Sequence, residues 1–469
     1  MDEEAYRLIE GAVPTEFAGR SWEGYLHHVD FIVALMHVGT SLIPKSLMKL
    51  IGHVVGYTPS FDKGLSLLST CCRMKGMRRP CAAAVLELLV FREAAAGGPG
   101  GRAGGGGGLG PEVMARAVAL DNAQVALESF YASFPVVPLL SVAHAKALQT
   151  SGEYEEAYDL CLMAQKVVDE SVEKGDGMGP AHDPHVLWLQ LAFSSFFLQR
   201  WPRALEVFTR IVEGVTQVCE NDKRGLTGFS AAYAAASMCG VQPVNQTEVH
   251  KLLVVACEAI KKQEAVGAKE HPGLRGRLQG YASRGPPGAE LWLFELLYLH
   301  NASAANSMPE AWHESMLELL GETPVAAASR AFPHPGQLYS ASETDAIMAH
   351  KFTEGLVLYK LERMEESLDI FRLIADCARD KDEAPAPREE GVPPQVVLTE
   401  SRFVLPHALY LTAHLSYRLR PVEEQLYLSH DLCVRAKRIK EYDFDCQVKI
   451  GNLMASLRNY MDAVEAAAK

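Results

Sequence analysis

Three segments of this chain repeat one pattern: a small residue, a turn, a second small residue, then a large group one helical turn later. In SVAHAKALQTSGEYEEAYDLCLMAQ the small residues are Ala145 and Ala157, with Gly152 and Tyr154 at the turn and Cys161 in place of an aromatic. In WLQLAFSSFFLQRWPRALEVFTRI they are Ala192 and Ala204, with Trp188, Trp201 and Phe208 as the large groups. In KFTEGLVLYKLERMEESLDIFRLI they are Gly355 and Ser367, with Met364 at the turn and Phe371 after it. A fourth segment, LYLTAHLSYRLRPVEEQLYLSHDLCVRAK, is degenerate but keeps Ala413. Two helices cross closely only where the side chains at the contact are small, and the large group fills the space beside it. One such pair cannot bury its own apolar face, so pairs must stack.

Helical spacing dominates the rest of the chain, and strand-like alternation is scarce. The expected fold is all-α: a tetratricopeptide-like antiparallel helix-pair superhelix, an α-α solenoid with irregular loops. Helix pairs are expected near residues 138–170, 185–215, 345–378 and 405–438. LLVVACEAIKKQ, AELWLFELLYLH and PEAWHESMLELL read as further amphipathic helices that continue the stack. Breaker-rich stretches at 97–111, 170–184, 265–288, 321–340 and 380–394 read as loops. The run GGPGGRAGGGGGLGP has G-x-G spacings but no preceding strand and no G-K-[ST], so it is a flexible insertion and not a phosphate loop. The expected organisation is a helical hairpin block over 1–96, a glycine-rich linker over 97–111, and helical repeats over 112–469.

FIVALMHVGTSLIPKSLMKLIGHVVGY, residues 31–57, is the stretch that most resembles a membrane span. A spanning helix needs about 20 consecutive apolar residues. Here His37, Gly39-Thr40-Ser41 and Pro44 interrupt the run. Val29 to Val38 reads as one helix, and Pro44 opens a second on which Leu47, Leu50, Ile51 and Val54 share a face. The stretch is a core hairpin, with contact to a lipid surface as the alternative.

The chain has 469 residues and a formal charge of −13, which argues against sequence-tolerant binding to nucleic-acid phosphate. The basic clusters Arg73 to Arg79 and Arg435 to Arg438 are short and read as solvated surface. Ten cysteines include no C-x-x-C pair; Cys161, Cys257, Cys377 and Cys433 lie in apolar helical runs and read as small buried hydrophobes in a reducing compartment. The acidic opening MDEEAYRLIE predicts no secretory signal or transit peptide.

No motif for catalysis emerges, and neither a cofactor nor a metal is expected. His182-Asp183-Pro184-His185 reads as a turn, with Asp183 as N-cap and Pro184 in the first helical position. A metal site would need a third ligand nearby. His27-His28 read as surface or interface residues. No G-x-S-x-G elbow occurs. Glu155-Glu156 and Glu365-Glu366 follow turns and favour the start of the next helix through its dipole. Asn245 and Asn301 match N-x-[ST], which carries no weight in a cytosolic chain.

What remains is the inner surface of the stack. Counting from Ala145, Ala192, Gly355 and Ala413, the groove-facing positions are Lys146, Gln149, Phe193, Phe196, Leu356, Tyr359, His414 and Tyr417. Val142 and Phe193 stand where a clamp for a terminal carboxylate would need polar groups. Aromatics with a few polar atoms suit a peptide or helix of another protein, with packing against adjacent helices as the alternative.

Taken in order, the segments resemble the tetratricopeptide repeat protein 39 family, grouped with the fungal inclusion-body clearance proteins of the mitochondrial outer membrane. SLIPKSLMKLIGHVVGYTPSFDKGLSLL resembles the family's central block through Leu42, Pro44, Leu47, Leu50, Gly56, Gly64 and Leu65. AELWLFELLYLHNA is similar through Glu295, Leu296 and Tyr298, the late repeat through Gly355, Leu356, Leu361 and Phe371, and LPHALYLTAHL through Pro406, Ala408, Leu409 and Leu415. KEYDFD resembles the terminal motif through Tyr442. The glycine insertion departs from the pattern, and the chain is expected to lack the further N-terminal helical half usual in the family. The resemblance implies a non-catalytic adaptor or scaffold that binds proteins or peptide segments, with roles in protein quality control or lipid homeostasis. It implies a cytoplasmic location at the cytosolic face of the mitochondrial outer membrane or on lipid droplets, reached without a transmembrane span. The alternative function is that of a peripheral lipid-binding protein at those surfaces.

Overall fold

The computed structural model describes residues 22–41, 60–73, 81–83, 85, 125, 138–173, 184–218, 226–265, 272–285, 288–332, 339–379, 396–398, 403–420, 422–439 and 444–468. The chain divides into two compact units, residues 1–191 and 192–469. The fold is all-α, built from tetratricopeptide-like helix pairs, with consecutive helices packed together within each unit, among them Trp22–Ser41 on Phe61–Arg73, Pro138–Ser151 on Tyr154–Glu173 and Ala341–Lys360 on Met364–Cys377.

In the first unit, α1 (Trp22–Ser41) packs on α2 (Phe61–Arg73). Phe31, Ala34 and Val38 of α1 are buried with Leu65, Leu68 and Cys72 of α2. The approach is close because Gly64 has no side chain: a Cβ there would stand 2.7 Å from Val38 Cγ2 and 3.2 Å from the Ala34 carbonyl. The second helix expected after Pro44 lies outside the described residues, as do the glycine run and Asp183. The next pair is α3 (Pro138–Ser151) and α4 (Tyr154–Glu173), with Ala145, Ala157 and Cys161 fully buried.

Pro184 is the first residue of α5 (Pro184–Phe197), as its fixed φ favours. The second unit continues with α6 (Trp201–Val218), α7 (Leu226–Cys239), α8 (Gln246–Ala265) and α9 (Pro272–Arg284). An irregular inner helix follows: a 3-10 turn at Ala289–Leu291, α10 (Trp292–Glu295) and a π turn at Leu296–His300. Then come α11 (Ala302–Asn306), α12 (Glu310–Gly321), α13 (Ala326–Ala331), α14 (Ala341–Lys360), α15 (Met364–Cys377), α16 (Val404–Leu419), α17 (Glu423–Arg438) and α18 (Phe444–Ala468). A two-residue parallel ladder, β1 (Ala378–Arg379) with β2 (Val396–Val397), follows α15.

The three well-formed repeats turn in the same way. Seven residues after the first small residue the backbone becomes left-handed, at Gly152 (φ 92), Gln199 (φ 58) and Glu362 (φ 57). The next amide donates back five residues, Glu153 to Leu148 at 2.9 Å, Arg200 to Ser195 at 2.9 Å and Arg363 to Leu358 at 3.0 Å. This is the Schellman closure, which satisfies carbonyls left open at a helix end. The fourth repeat explains its own degeneracy. The equivalent donor position is Pro421, which has no N–H, and a residue before proline is steered away from helical conformations. Arg420 accordingly sits at φ −137.

Between α14 and α15 the helix contact is direct. Ser367 Oγ donates to the Gly355 carbonyl at 2.8 Å, and a Cβ on Gly355 would stand 2.8 Å from Phe371 Cε1. Glu155-Glu156 and Glu365-Glu366 occupy first turns, as the dipole argument expects. Arg435 corrects the reading of its basic cluster as solvated surface. Its guanidinium donates to the carbonyls of Ala375 at 3.0 Å and Ala378 at 3.1 Å, closing the end of α15.

Two further expectations are corrected. The stretch 265–288, read as a loop from its glycines and prolines, contains α9. Leu274, Leu278 and Tyr281 form its buried face, a helical period that the glycine count hid. AELWLFELLYLH was expected to be amphipathic, yet every residue from Ala289 to Tyr298 is buried. Its two acids are buried with partners, Glu290 accepting from Gln246 at 2.7 Å and Glu295 pairing with Arg277 at 2.8 Å, so the segment lies inside the core on every side. Gly276 and Gly280 of α9 face open space, with nothing within 4 Å of a built Cβ. Gly276→Ala and Gly280→Ala should therefore each raise stability by about 0.5–1 kcal/mol, read as a higher midpoint in urea unfolding.

Candidate functional site: an aromatic and basic surface on three helices

In the second unit α14 touches α16, and α16 touches α18, across the intervening helices α15 and α17. The first helices of successive repeats thus lie side by side and present one composite face. The half-buried rings of Tyr359, Tyr410, His414 and Tyr417 lie on it, with Tyr460 exposed on α18. Tyr410 and His414 stack with ring centroids 6.0 Å apart, and Tyr417 meets Tyr460 edge-on at 6.1 Å. Tyr410, His414 and Tyr417 stand at i, i+4 and i+7 of α16, one stripe of a helix. Burial pushes the Tyr410 phenol up to about 12, with Tyr359, Cys446 and Cys433 adding to the effect. Burial, then the charge of Arg418, holds the His414 imidazole below its ordinary value, so it is neutral at pH 7.

Cations border these rings. Lys360 ends α14, half-buried; its ammonium donates to Asn306 Oδ1 and lies 5.5 Å from the centroid of the Tyr359 ring. Burial lowers its proton affinity, and the nearby charge of Lys449 on α18 lowers it further. Lys449 and Arg418 are exposed.

The structure separates the eight residues read from the sequence as groove-lining. Gln149, Phe196 and Leu356 are buried and therefore face the core. Gln149 donates its amide to the Gln190 carbonyl at 2.8 Å. Phe196 packs edge-on against Trp201 at 5.3 Å. Phe193 is half-buried and joins a ring cluster with Phe208, Phe229 and Tyr233. For these four the alternative reading, packing against adjacent helices, holds. Lys146 is exposed on α3. Tyr359, His414 and Tyr417 share the composite face. Tyr410 was overlooked although it lies one turn before His414 in the same stripe. Lys360 is the chain neighbour of the Tyr359 ring it lies over, whereas Tyr460 meets Tyr417 only through packing between helices.

Behind this face lies a buried polar anchor. Arg277 Nη1 of α9 pairs with Glu295 Oε1 of the inner helix at 2.8 Å, Tyr281 Oη donates to Glu295 Oε2 at 3.0 Å, and the guanidinium lies 3.5 Å from the Phe403 ring centroid. The cavity beside it, between Glu295, Phe352, Thr353 and Phe403, measures about 10 Å³, room for about one water. Among the described residues no group of three or more His, Cys, Asp or Glu side chains could hold a metal ion. No helix among them is long and apolar enough to cross a membrane. Cys161, Cys257, Cys377 and Cys433 are buried free thiols, and burial pushes Cys161 and Cys433 up to about 12. Such thiols are inert packing groups.

No curated protein matches the chain. The family model described as Iml2/Tetratricopeptide repeat protein 39 matches residues 28–217, a span that holds the central block around Pro44 and Gly64 and the first two repeats. Over that span the resemblance read from Leu42, Pro44, Leu47, Leu50, Gly56, Gly64 and Leu65 is borne out: residues 28–217 are similar to Iml2/Tetratricopeptide repeat protein 39.

Proposed function

We propose that the chain is a non-catalytic adaptor that binds a segment of another protein on the face formed by α14, α16 and α18. The observation that carries this reading is the row of incompletely buried rings, Tyr359, Tyr410, His414 and Tyr417 on α14 and α16, which pack on their neighbours, and Tyr460 on the largely exposed α18. Tyrosine gives large contact area at low cost in side-chain freedom and is enriched at binding hot spots. The family resemblance supports placement at the mitochondrial outer membrane or lipid droplets, and service in protein quality control or lipid homeostasis.

The test is proximity labelling with the intact chain and with Tyr359→Ala and Tyr417→Ala. Each substitution should weaken the partner by about 1–2 kcal/mol, about 5–30-fold in Kd, with the thermal midpoint little changed. An unaltered set of labelled proteins in both variants would remove the groove assignment.

A second reading, peripheral lipid contact, draws on α1. Ile32, Leu35 and Met36 are 55%, 37% and 52% exposed and lie at i, i+3 and i+4, one apolar stripe. Co-flotation of the intact chain with neutral or anionic vesicles, lost in Ile32→Ser/Met36→Ser, supports it; absence of co-flotation with both vesicle types rejects it.

A further inference from the structure

The composite face carries a charge imbalance that its rings do not account for. Lys360, Arg418 and Lys449 border it, and none makes an ion pair with a carboxylate among the described residues. Elsewhere in α14 and at the start of α15 lysines and arginines do find acids. Lys351 pairs with Glu354 at 3.1 Å, and Arg363 pairs with Glu366. The chain as a whole has 58 acidic against 45 basic residues, so a cluster of unpaired cations is not a by-product of composition. Lys360 is also held. Its ammonium is fixed by Asn306 Oδ1 and lies against the Tyr359 ring, and the charge of Lys449 adds to burial in lowering its proton affinity. A half-desolvated cation beside a like charge is unfavourable unless an anion joins it.

We infer that this face selects an acidic segment of a partner protein, whose Asp or Glu carboxylate sits between Lys360 and Lys449 while apolar or aromatic side chains of the same segment lie on Tyr359, Tyr410 and Tyr417. This rests on the reading of the face as a protein-binding surface and names the chemistry of what it binds. The carboxylate relieves the Lys360–Lys449 repulsion. It gains strength from the low-dielectric wall of rings beside it, where a charge pair is screened less than in open water. The neutral His414 adds no competing charge.

The test pans a phage library of short random peptides on the intact chain. The expected result is enrichment of peptides that combine Asp or Glu with nearby apolar or aromatic residues. Lys360→Gln/Lys449→Gln should bind those selected peptides about tenfold to a hundredfold more weakly, and its own panning should keep the apolar residues but lose the acids. Lys360→Arg, which retains the charge, should keep the acid preference. Thermal melts of each variant confirm that the fold is intact. Selected peptides that depend on Tyr359 and Tyr417 but show no excess of acids, or keep that excess in the double lysine variant, overturn the inference and leave the groove reading standing. Peptides indifferent to Tyr359→Ala and Tyr417→Ala, or no enrichment at all, overturn both.

Discussion

Glu295→Ala should destabilise the second unit by about 3–5 kcal/mol, a large part of the ~5–15 kcal/mol that holds an ordinary domain together. The side chains of Arg277 and Glu295 are only 8% and 3% exposed. Truncating the acid removes the carboxylate paired with a guanidinium buried against the Phe403 ring, and removes the Glu295 acceptor of the Tyr281 hydroxyl. The pair is weak evidence of net stabilisation in itself, because desolvating two ions offsets most of their attraction. Arg277→Met/Glu295→Leu should accordingly lose little, and urea unfolding followed by Trp292 fluorescence separates the two cases. If the single and double variants unfold at the same urea concentration, the loss comes from packing and not from a stranded charge. The pair fastens α9 to the inner helix, and Trp292 Nε1 fastens that helix to the Ala232 carbonyl of α7 at 2.8 Å.

The next largest effect is expected where α14 crosses α15. Phe371 is fully buried, and its ring tip fills the space left by Gly355. Phe371→Ala should cost about 3–5 kcal/mol through the cavity it opens. Gly355→Ala should cost about 1–3 kcal/mol, because the new methyl meets the ring at 2.8 Å and must displace it. The two are not independent. Gly355→Ala/Phe371→Leu should be more stable than the sum of its single changes by about 0.5–3 kcal/mol, since the shorter side chain makes room for the methyl. Strict additivity in that double-mutant cycle would show that the two side chains do not compete for the same space. The contrast with Gly276 and Gly280, where a methyl meets nothing, is a contrast of position alone.

The groove-lining set shows where local reading stops. Counting along a helix from a small residue picks out Tyr359, His414 and Tyr417, which are half-buried, and the same period reaches Tyr410. Phe196 and Gln149 satisfy that count equally well and are buried, because the count fixes a face of one helix and not what packs upon it. The glycines of α9 misled for a related reason: Gly276 and Gly280 weaken a helix by its backbone freedom, but Leu274, Leu278 and Tyr281 recover the loss by burial.

The sequence by itself determined the helix pairs, their small-residue crossings and the first-turn acids. Each depends on groups within a few residues of one another, where spacing alone sets the geometry. Only the tertiary structure decided that the inner helix is buried on every side, that Arg435 closes α15, and that Lys360 is held by Asn306 beside the Tyr359 ring. Those arrangements join residues from distant parts of the chain. The energy that joins them is burial and charge shared between helices, which no single segment carries.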